Sequence, residues 1–416
     1  MEERTKELKR TVRQQVINAI DYSKDINDDE MYELIDQELI ERSRSLMMSV
    51  SDRKKLRTEI FHSIRKLDIL QQLVDDQAVT EIMINGTKNI FIEKNGSIQR
   101  FDGAFESKEK LEDVVQQIVA GCNRVVNEAS PIVDARLMNG SRVNVVLGPV
   151  ALNGPIVTIR RFPENPITMD RLISLGSISE YVRDYLSVLV QAGYNIFISG
   201  GTGSGKTTFL NALSDYIPKD LRVITIEDNA ELQLRGVPNL VRLEARNANV
   251  EGCKEISIRD LIKSSLRMRP DWIVVGEVRG GECVDMLQAM NTGHMAMSTG
   301  HSNSAKDMLY RIETMSLMGM GELPLPAVRG QIAAGIDIIV HLGRFRDKSR
   351  KVVEICELEK ELDSSGRIVL NPLFGFEENE KSKGSEKIIG TWRKIGELKN
   401  NQKLLASGLS LPTQSG

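Results

Sequence analysis

The sequence is poor in cysteine and aromatic residues, and it has no excess of charge of one sign. Its four cysteines lie far apart, without the C-x-x-C spacing of zinc ribbons or redox sites, so we predict reduced structural thiols at Cys122, Cys253, Cys283 and Cys356. Aromatics make up 5%, and 55 Lys+Arg against 58 Asp+Glu give a formal charge of −3. No overall basic field recruits nucleic acid, and we expect no nucleic-acid partner.

Long apolar runs are also missing. No stretch approaches the roughly 20 apolar residues that span a bilayer. The first ten residues are charged throughout and lack the apolar segment of a secretory signal. These observations predict a cytoplasmic protein that associates with a membrane only through its partners.

The 416 residues are enough for several domains, each with its own core. Apolar residues at helical spacing predict a helical region over 1–66. Short β-type runs and one helix predict an α+β domain over 67–163, and Pro163-Glu164-Asn165-Pro166 indicates a hinge or linker. Strands and helices then alternate, so 164–375 is predicted to be an α/β domain with a doubly wound, mainly parallel sheet. Residues 376–416 are polar and charged, and we expect a weakly ordered tail there.

The strongest motif lies between residues 199 and 208. It fits the G-x-x-x-x-G-K-[ST] phosphate loop, with an apolar strand before it and a helix after it. Glycines let the backbone approach a polyphosphate and aim N–H groups at it. The predicted nucleotide-binding residues are Gly200, Gly201, Thr202, Gly203, Ser204, Gly205, Lys206, Thr207 and Thr208.

Within this loop, Lys206 is expected to reach the β and γ phosphates of ATP, and Thr207 to place its hydroxyl on the bridging Mg²⁺. Hydrolysis also needs a group that orients water. The apolar strand 272–276 ends in Glu277, at the edge of the sheet where ligands bind, and this makes Glu277 the candidate for that role.

A second strand, 222–226, also ends in acidic residues. If this strand neighbours the phosphate-loop strand, Glu227 and Glu231 are placed to hold Mg²⁺ through water. The alternative is that they are solvated surface charges. His294 and His301 flank a short strand, and a histidine at the ligand edge can hydrogen-bond the γ phosphate or carry protons. The alternative is that both are satisfied structural histidines.

Taken together, four boxes resemble those of the type II/type IV secretion ATPase superfamily. They are the phosphate loop, the Asp box from Thr225 to Leu232, the atypical Walker B box from Arg269 to Arg279, and the His box from Thr292 to Ala305. Upstream, Val133 to Asn144 and Thr158 to Phe162 look most like the CpaF-type branch, which powers Tad (Flp) pili. The chain lacks the tetracysteine insertion of general-secretion members.

The resemblance implies a RecA-like P-loop NTPase domain preceded by a PAS-like α+β domain. It also implies a homohexamer that hydrolyses ATP with Mg²⁺ at the inner face of the cytoplasmic membrane, where it drives an inner-membrane platform protein. Each nucleotide is expected to lie between the two domains, with arginines of the α+β domain neutralising phosphate charge. By the same resemblance, Glu227 and His301 join Lys206 and Glu277 as catalytic residues, and His294 contacts the nucleotide. The matching arginines are Arg136, Arg142, Arg160 and Arg161, of which we expect two to act.

Two other functions stay open from the sequence. One is a nucleic-acid translocase or conjugation-type ATPase that handles DNA, which would call for a basic channel with stacking aromatics. The other is a nucleotide-gated scaffold with negligible turnover, in which bound ATP only holds subunits together.

Overall fold

The structure is a computed structural model that describes residues 2–20, 26–42, 48–94, 96–122, 124–137, 140–161, 166–246, 254–321, 323–382 and 387–413. The predicted hinge residues Pro163, Glu164 and Asn165 lie outside this range, as does Cys253. The three described cysteines are free thiols. No described helix has both the length and the apolar character needed to cross a bilayer.

Two compact units make up the chain, Met1–Glu164 and Asn165–Gly416. The predicted helical region and α+β domain thus fall in one unit. The helices of the first unit are α1 (Glu2–Ala19), α2 (Asp28–Arg42), α3 (Val50–Arg65), α4 (Gln71–Asp75) and α5 (Lys108–Ala120). Its strands are β1 (Val79–Asn85), β2 (Asn89–Lys94), β3 (Ser97–Arg100), β4 (Ile132–Arg136), β5 (Arg142–Val146) and β6 (Ile156–Arg160).

Helices α1 to α3 pack around a small core of their own that includes Val12, Ile35 and Ile60, each fully buried. The strands form an antiparallel sheet of order β3-β2-β1-β6-β5-β4. Helix α5 starts at a serine cap, Ser107, and packs its apolar face on this sheet. Lys110 on α5 donates a 2.8 Å hydrogen bond to the carbonyl of Ser63, which joins the two parts of the unit.

The second unit contains a long, mostly parallel sheet. Its strands are β7 (Ile196–Gly200), β8 (Val223–Glu227), β9 (Leu240–Glu244), β10 (Trp272–Val275), β11 (Met295–His301), β12 (Ile338–Arg344), β13 (Arg350–Leu362), β14 (Ile368–Glu378) and β15 (Gly390–Lys394). Its helices are α6 (Met169–Ser174), α7 (Glu180–Gln191), α8 (Lys206–Ser214), α9 (Ile258–Ser265), α10 (Glu282–Asn291), α11 (Ala305–Met320), α12 (Leu325–Gly335) and α13 (Gln402–Ser407).

In this sheet the strand order is β15-β14-β13-β12-β7-β11-β10-β8-β9. The strands from β12 to β9 are parallel to their neighbours, and β13 to β15 extend the sheet antiparallel. Successive side chains of β7 point to opposite faces, so Ile196 and Ile198 join one core and Phe197 the other. Helices cover both faces, and the predicted doubly wound α/β fold is confirmed.

The predicted weakly ordered tail is wrong for most of its length. Strand β15 pairs with β14, the ring N–H of Trp392 donates to the carbonyl of Val352 at 2.7 Å, and Leu404 of α13 is buried in the main core. The tail reads as polar because an edge strand and a short surface helix expose most of their residues. A few apolar side chains are enough to fix both elements to the sheet.

Candidate functional site

The phosphate-loop sequence folds as the turn between β7 and α8. Gly203 and Gly205 have φ angles of 70° and 93°, in the left-handed region that favours glycine. At Gly200, φ is 157°, and a Cβ there would lie 2.5 Å from the carbonyl oxygen of Leu342. The glycines therefore allow a tight loop whose N–H groups open ahead of the first turn of α8.

Lys206 is the first residue of α8, and its side chain is buried against the loop. Its Nζ donates hydrogen bonds to the carbonyls of Gly200 at 3.0 Å and Gly201 at 3.1 Å, and lies 3.2 Å from Nδ1 of His301. Burial lowers the pKa of Lys206, and Glu277 opposes that shift. These two carbonyls and the His301 ring therefore fix the ammonium group beside the loop, where it can bind an anion.

Glu277 follows β10, two strands from β7, at the carboxyl edge of the parallel sheet. Its Oε2 accepts a hydrogen bond from Arg279 at 2.9 Å. Its Oε1 lies 3.1 Å from Nε2 of His301, a close polar contact without hydrogen-bond geometry. One side chain, His301, therefore touches both Lys206 and Glu277, and the three form one cluster.

His301 is the last residue of β11, which lies between β7 and β10. Its pKa is lowered, first by burial and then by the positive charge of Lys206. The ring is therefore neutral at physiological pH. In that state it can accept a hydrogen bond at one nitrogen and donate at the other.

His294 is not part of this cluster, so its expected contact with the nucleotide is wrong. It precedes the seven-residue β11, which puts it roughly 20 Å away at the opposite edge of the sheet. Its Nδ1 lies 3.3 Å from both the hydroxyl of Thr292 and the carbonyl of Ala289, and it faces a shallow surface pocket beside Lys403. The alternative of a structural histidine fits this position.

The condition set for magnesium binding by Glu227 and Glu231 is also not met. Strand β8 does not neighbour β7, because β11 and β10 lie between them, a separation of about 14 Å. The buried Glu227 turns Oε1 toward the N–H groups of Glu231 and Leu232, at 2.8 and 2.9 Å. The Glu227 side chain packs instead against Gly276, the residue before Glu277. A Cβ on Gly276 would be 3.0 Å from Cγ of Glu227.

Burial is also the main cause that raises the pKa of Glu227, to about 7, against the lowering effect of its two N–H donors. In the described part of the chain its Oε2 has no hydrogen-bond partner. Glu227 is therefore a buried carboxyl that titrates near neutrality, one strand away from Glu277.

The four predicted arginines belong to the first unit. Three of them form a row across neighbouring strands, because Arg142 of β5 pairs in register with Arg136 of β4 and with Arg160 of β6. Arg161 is used differently: its guanidinium donates to the carbonyl of Asp76. The structure brings three of the four together within one sheet.

Several charged or polar residues near the loop were not singled out from the sequence. Arg279 donates a hydrogen bond to Glu277. Its position two residues after Glu277 in the sequence could have indicated this contact. Buried His341 on β12 lies with Nδ1 2.9 Å from the hydroxyl of Ser199, at the end of β7. Arg344 and Arg350 flank the loop from the other side. The last three come from strands that only the tertiary fold brings to β7.

The residues present fit a nucleoside triphosphate. Phosphate oxygens accept from N–H groups and a lysine, both of which this loop supplies, and Ser204 adds a buried hydroxyl without a partner among the described residues. Within that same part of the chain, no group of three or more His, Cys, Asp or Glu is placed to hold a metal ion. A Mg²⁺ ion here would take the Thr207 hydroxyl and draw its other ligands from phosphate and water.

Comparison with known proteins identifies one matching family and several similar sequences. The sequence pattern of the family described as "Type II/IV secretion system protein" matches residues 64–387. A putative conjugal transfer protein of Mycobacterium tuberculosis is 33% identical over 327 residues, covering 75% of this chain and 91% of that protein. The conjugal transfer protein TrbB of Rhizobium radiobacter is 33% identical over 306 residues, covering 71% of this chain and 90% of that protein.

Among solved structures, the pilus retraction motor PilT with bound ADP aligns with a TM-score of 0.51 at 21% identity, covering 66% of this chain and 77% of that one. At this identity the likeness concerns the fold, which is RecA-like in the second unit.

Proposed function

Because this chain belongs to the type II/IV secretion system protein family, we propose that it is an ATP-hydrolysing, homohexameric motor for secretion or Tad/Flp-type pilus assembly across a bacterial cell envelope. One observation carries the proposal: His301 lies between Lys206 of the phosphate loop and Glu277. A structural loop would not need a neutral histidine and a carboxylate gathered at its lysine.

In this mechanism the loop N–H groups and Lys206 bind the triphosphate. The Thr207 hydroxyl would hold a Mg²⁺ ion, which would supply charge neutralisation at the phosphates. Glu277 orients the attacking water. Arg279 holds its carboxylate by a hydrogen bond to Oε2, and His301 lies beside Oε1. Since Glu227 packs against Gly276, the residue before Glu277, we assign it an indirect role and leave direct metal contact to Thr207.

Arginines of the first unit supply further positive charge in this proposal. An arginine presented to the γ phosphate in the transition state accelerates hydrolysis by several powers of ten. We favour Arg142 and Arg160, because they lie side by side in register on neighbouring strands. Substituting each by alanine, with exposed Arg100 of β3 as the matched control, tests this choice through phosphate release.

The CpaF-type branch is our proposal for the specific system. The run from Val133 to Asn144 and the helical region before the α+β sheet support it. The partner is then an inner-membrane platform protein, and the motor works at the cytoplasmic face of the membrane without entering it. Nucleic acid is not a partner in this role.

The decisive experiment measures ATP binding, phosphate release and assembly of the purified full chain in parallel. We expect Lys206→Ala to abolish release and weaken binding, and Glu277→Gln to abolish release while ATP still binds. Lys263→Ala, on an exposed side chain of α9, is the control for loss of a lysine. Unchanged turnover in both site variants would overturn the proposal, and binding without any turnover in the wild type would favour the scaffold.

A conjugation-type motor that handles DNA is the second candidate. The observation that favours it is the pair of relatives at 33% identity, both named as conjugal transfer proteins. It predicts that single-stranded DNA stimulates ATP turnover, and that the stimulation falls steeply with salt. If DNA has no effect at low salt, the secretion or pilus role stands alone.

A further inference from the structure

Two arginines flank the phosphate loop on the side away from Glu277. Arg344 ends β12 and Arg350 begins β13, and the two are directly opposite each other in the antiparallel ladder. A Cβ on Gly203 would lie 3.5 Å from Nη1 of Arg344, and a Cβ on Gly205 would lie 3.4 Å from Cδ of Arg350. The end of this hairpin therefore lies against the loop itself.

Like charges placed directly opposite on neighbouring strands repel each other. Both arginines are exposed, and within the described residues neither has an ion pair or a side-chain hydrogen bond with the protein. The acid of the same hairpin does not compensate for them, because Asp347 accepts from the N–H groups of Ser349 and Ile388. Two adjacent guanidinium groups without a carboxylate form a site for an anion.

Two neighbouring cations of the same hairpin are already engaged. Arg346 donates to the carboxylate of Glu378, and Lys351 donates to the carbonyl of Gly176 at 2.8 Å. Their engagement contrasts with the state of Arg344 and Arg350, which are left facing the loop. Exposed Lys348 lies in the turn itself, so Arg344 and Arg350 are the hairpin cations that lie against the loop glycines.

The position in the sheet tells which part of a nucleotide the pair would meet. Strand β12 lies on one side of β7, whereas β11 and β10, which carry His301 and Glu277, lie on the other. In the proposed mechanism the γ phosphate is cleaved on the side of the loop where Glu277 lies. The hairpin side would therefore meet the part of the phosphate chain that is not cleaved.

We propose that Arg344 and Arg350 form a guanidinium pair that binds the phosphates shared by ATP and ADP. This inference rests on the proposed function, because it assigns two more residues to the same nucleotide site. The pair contributes to affinity for substrate and product alike. It does not act on the chemical step.

Calorimetric titration of the full chain with Mg-ADP and with Mg-bound non-hydrolysable ATP analogue tests the pair. For the variant R344A/R350A we expect both dissociation constants to rise by about tenfold or more, by similar factors. In steady-state assays KM for ATP rises in parallel, and kcat at saturating ATP stays within about threefold of wild type. Arg346→Gln removes one positive charge from the same hairpin and is the matched control, with unchanged affinity for both nucleotides.

A second measurement identifies the chemical group that the arginines contact. Inorganic tripolyphosphate has no base or sugar, so it competes with labelled ADP only through phosphate contacts. We expect R344A/R350A to weaken this competition by the same factor as ADP binding. If the variant binds tripolyphosphate as wild type does but loses ADP, the arginines contact the nucleoside and the proposal is wrong.

Failure of this inference can be told apart from failure of the proposed function. If wild type binds and hydrolyses ATP while R344A/R350A keeps full affinity, only the guanidinium pair is refuted. A large loss of kcat with unchanged affinity also refutes it, since the arginines would then act in catalysis. If the wild type itself binds no nucleotide, the proposed function fails first.

Discussion

Nζ of Lys206 lies 3.2 Å from Nδ1 of His301. A lysine ammonium has no lone pair to offer, so Nδ1 must be the acceptor in this contact. The ring proton is then on Nε2, which faces Oε1 of Glu277 at 3.1 Å. The tautomer of His301 is set by Lys206, and its protonated nitrogen lies beside the carboxylate that is proposed to orient water.

Acidification should therefore inactivate the protein through His301. Its pKa is lowered from 6.5, so the ring stays neutral at pH 7 and protonates only below that value. Protonation removes the acceptor for Lys206 and places two positive charges side by side. We expect turnover to fall on the acid side of pH 6.5 in phosphate-release assays over a pH series.

His301→Asn and His294→Asn form the matched pair for this prediction. The first should lower turnover at pH 7 by about tenfold or more and flatten the acid limb. The second alters a histidine at the far edge of the sheet and should keep the wild-type profile. An unchanged acid limb in His301→Asn would refute the assignment.

Backbone geometry makes Gly200 irreplaceable for stability. Its φ of 157° disfavours other residues, and an added Cβ would meet Leu342 O and Ser204 Oγ, both at 2.5 Å. We expect Gly200→Ala to cost about 2 kcal/mol or more of unfolding free energy. Both tryptophans, Trp272 and Trp392, lie in the second unit, so their fluorescence in urea follows this unit alone.

Gly201→Ala is the neighbouring control, because nothing lies within 4 Å of a Cβ at that position. Its urea midpoint should match wild type within experimental scatter. Equal losses in the two variants would mean that general loop rigidity, and not this contact, sets the stability.

The buried carboxyl of Glu227 makes stability depend on pH. Its folded-state pKa of about 7 lies above the ordinary glutamate value of 4.5, so between these values the folded protein holds a proton that the unfolded chain releases. Its stabilising contribution is complete below pH 4.5 and is lost as pH rises through 7.

Glu227→Gln mimics the protonated form and should remove this dependence. Between pH 5 and pH 8 we expect wild type to lose on the order of 3 kcal/mol relative to the variant. Urea unfolding at each pH gives the two curves. Curves that stay parallel across this range would show that Glu227 ionises with an ordinary pKa.

The C-terminal helix contributes to stability through one leucine. Leu404 is 6% exposed within the main core, whereas the adjacent Leu405 is 73% exposed. We expect Leu404→Ala to cost roughly 2–3 kcal/mol and Leu405→Ala less than about 0.5 kcal/mol, by tryptophan-monitored urea unfolding. If both changes are silent, α13 does not help to hold the second unit together.

Local pattern was enough to predict that the phosphate loop and Glu277 lie at the carboxyl edge of the sheet, because each closely follows an apolar strand. The superfamily predicted from the four boxes is confirmed, and the CpaF-type branch stays a prediction. The distance of Glu227 from the loop was not predictable in this way. It depends on strand order, which places β11 and β10 between β7 and β8.

Residues that reach the loop from distant sequence positions were missed for the same physical reason. His341, Arg344 and Arg350 follow the loop by more than 130 residues, and only the pairing of β12 with β7 brings them near it. The tail was misjudged because composition was averaged over a segment in which Trp392 and Leu404 carry the packing. Exposed polar neighbours outnumber them in sequence but contribute little to burial.

In the described part of the second unit, β7 has four strands on each side. During synthesis its partner β12 leaves the ribosome well over a hundred residues later, so the loop acquires its final wall only when most of the chain has been made. A ligand that recognises the finished loop thereby selects complete molecules over truncated ones. Its binding energy adds to the cohesion of the entire sheet, including the distant edge formed by β15.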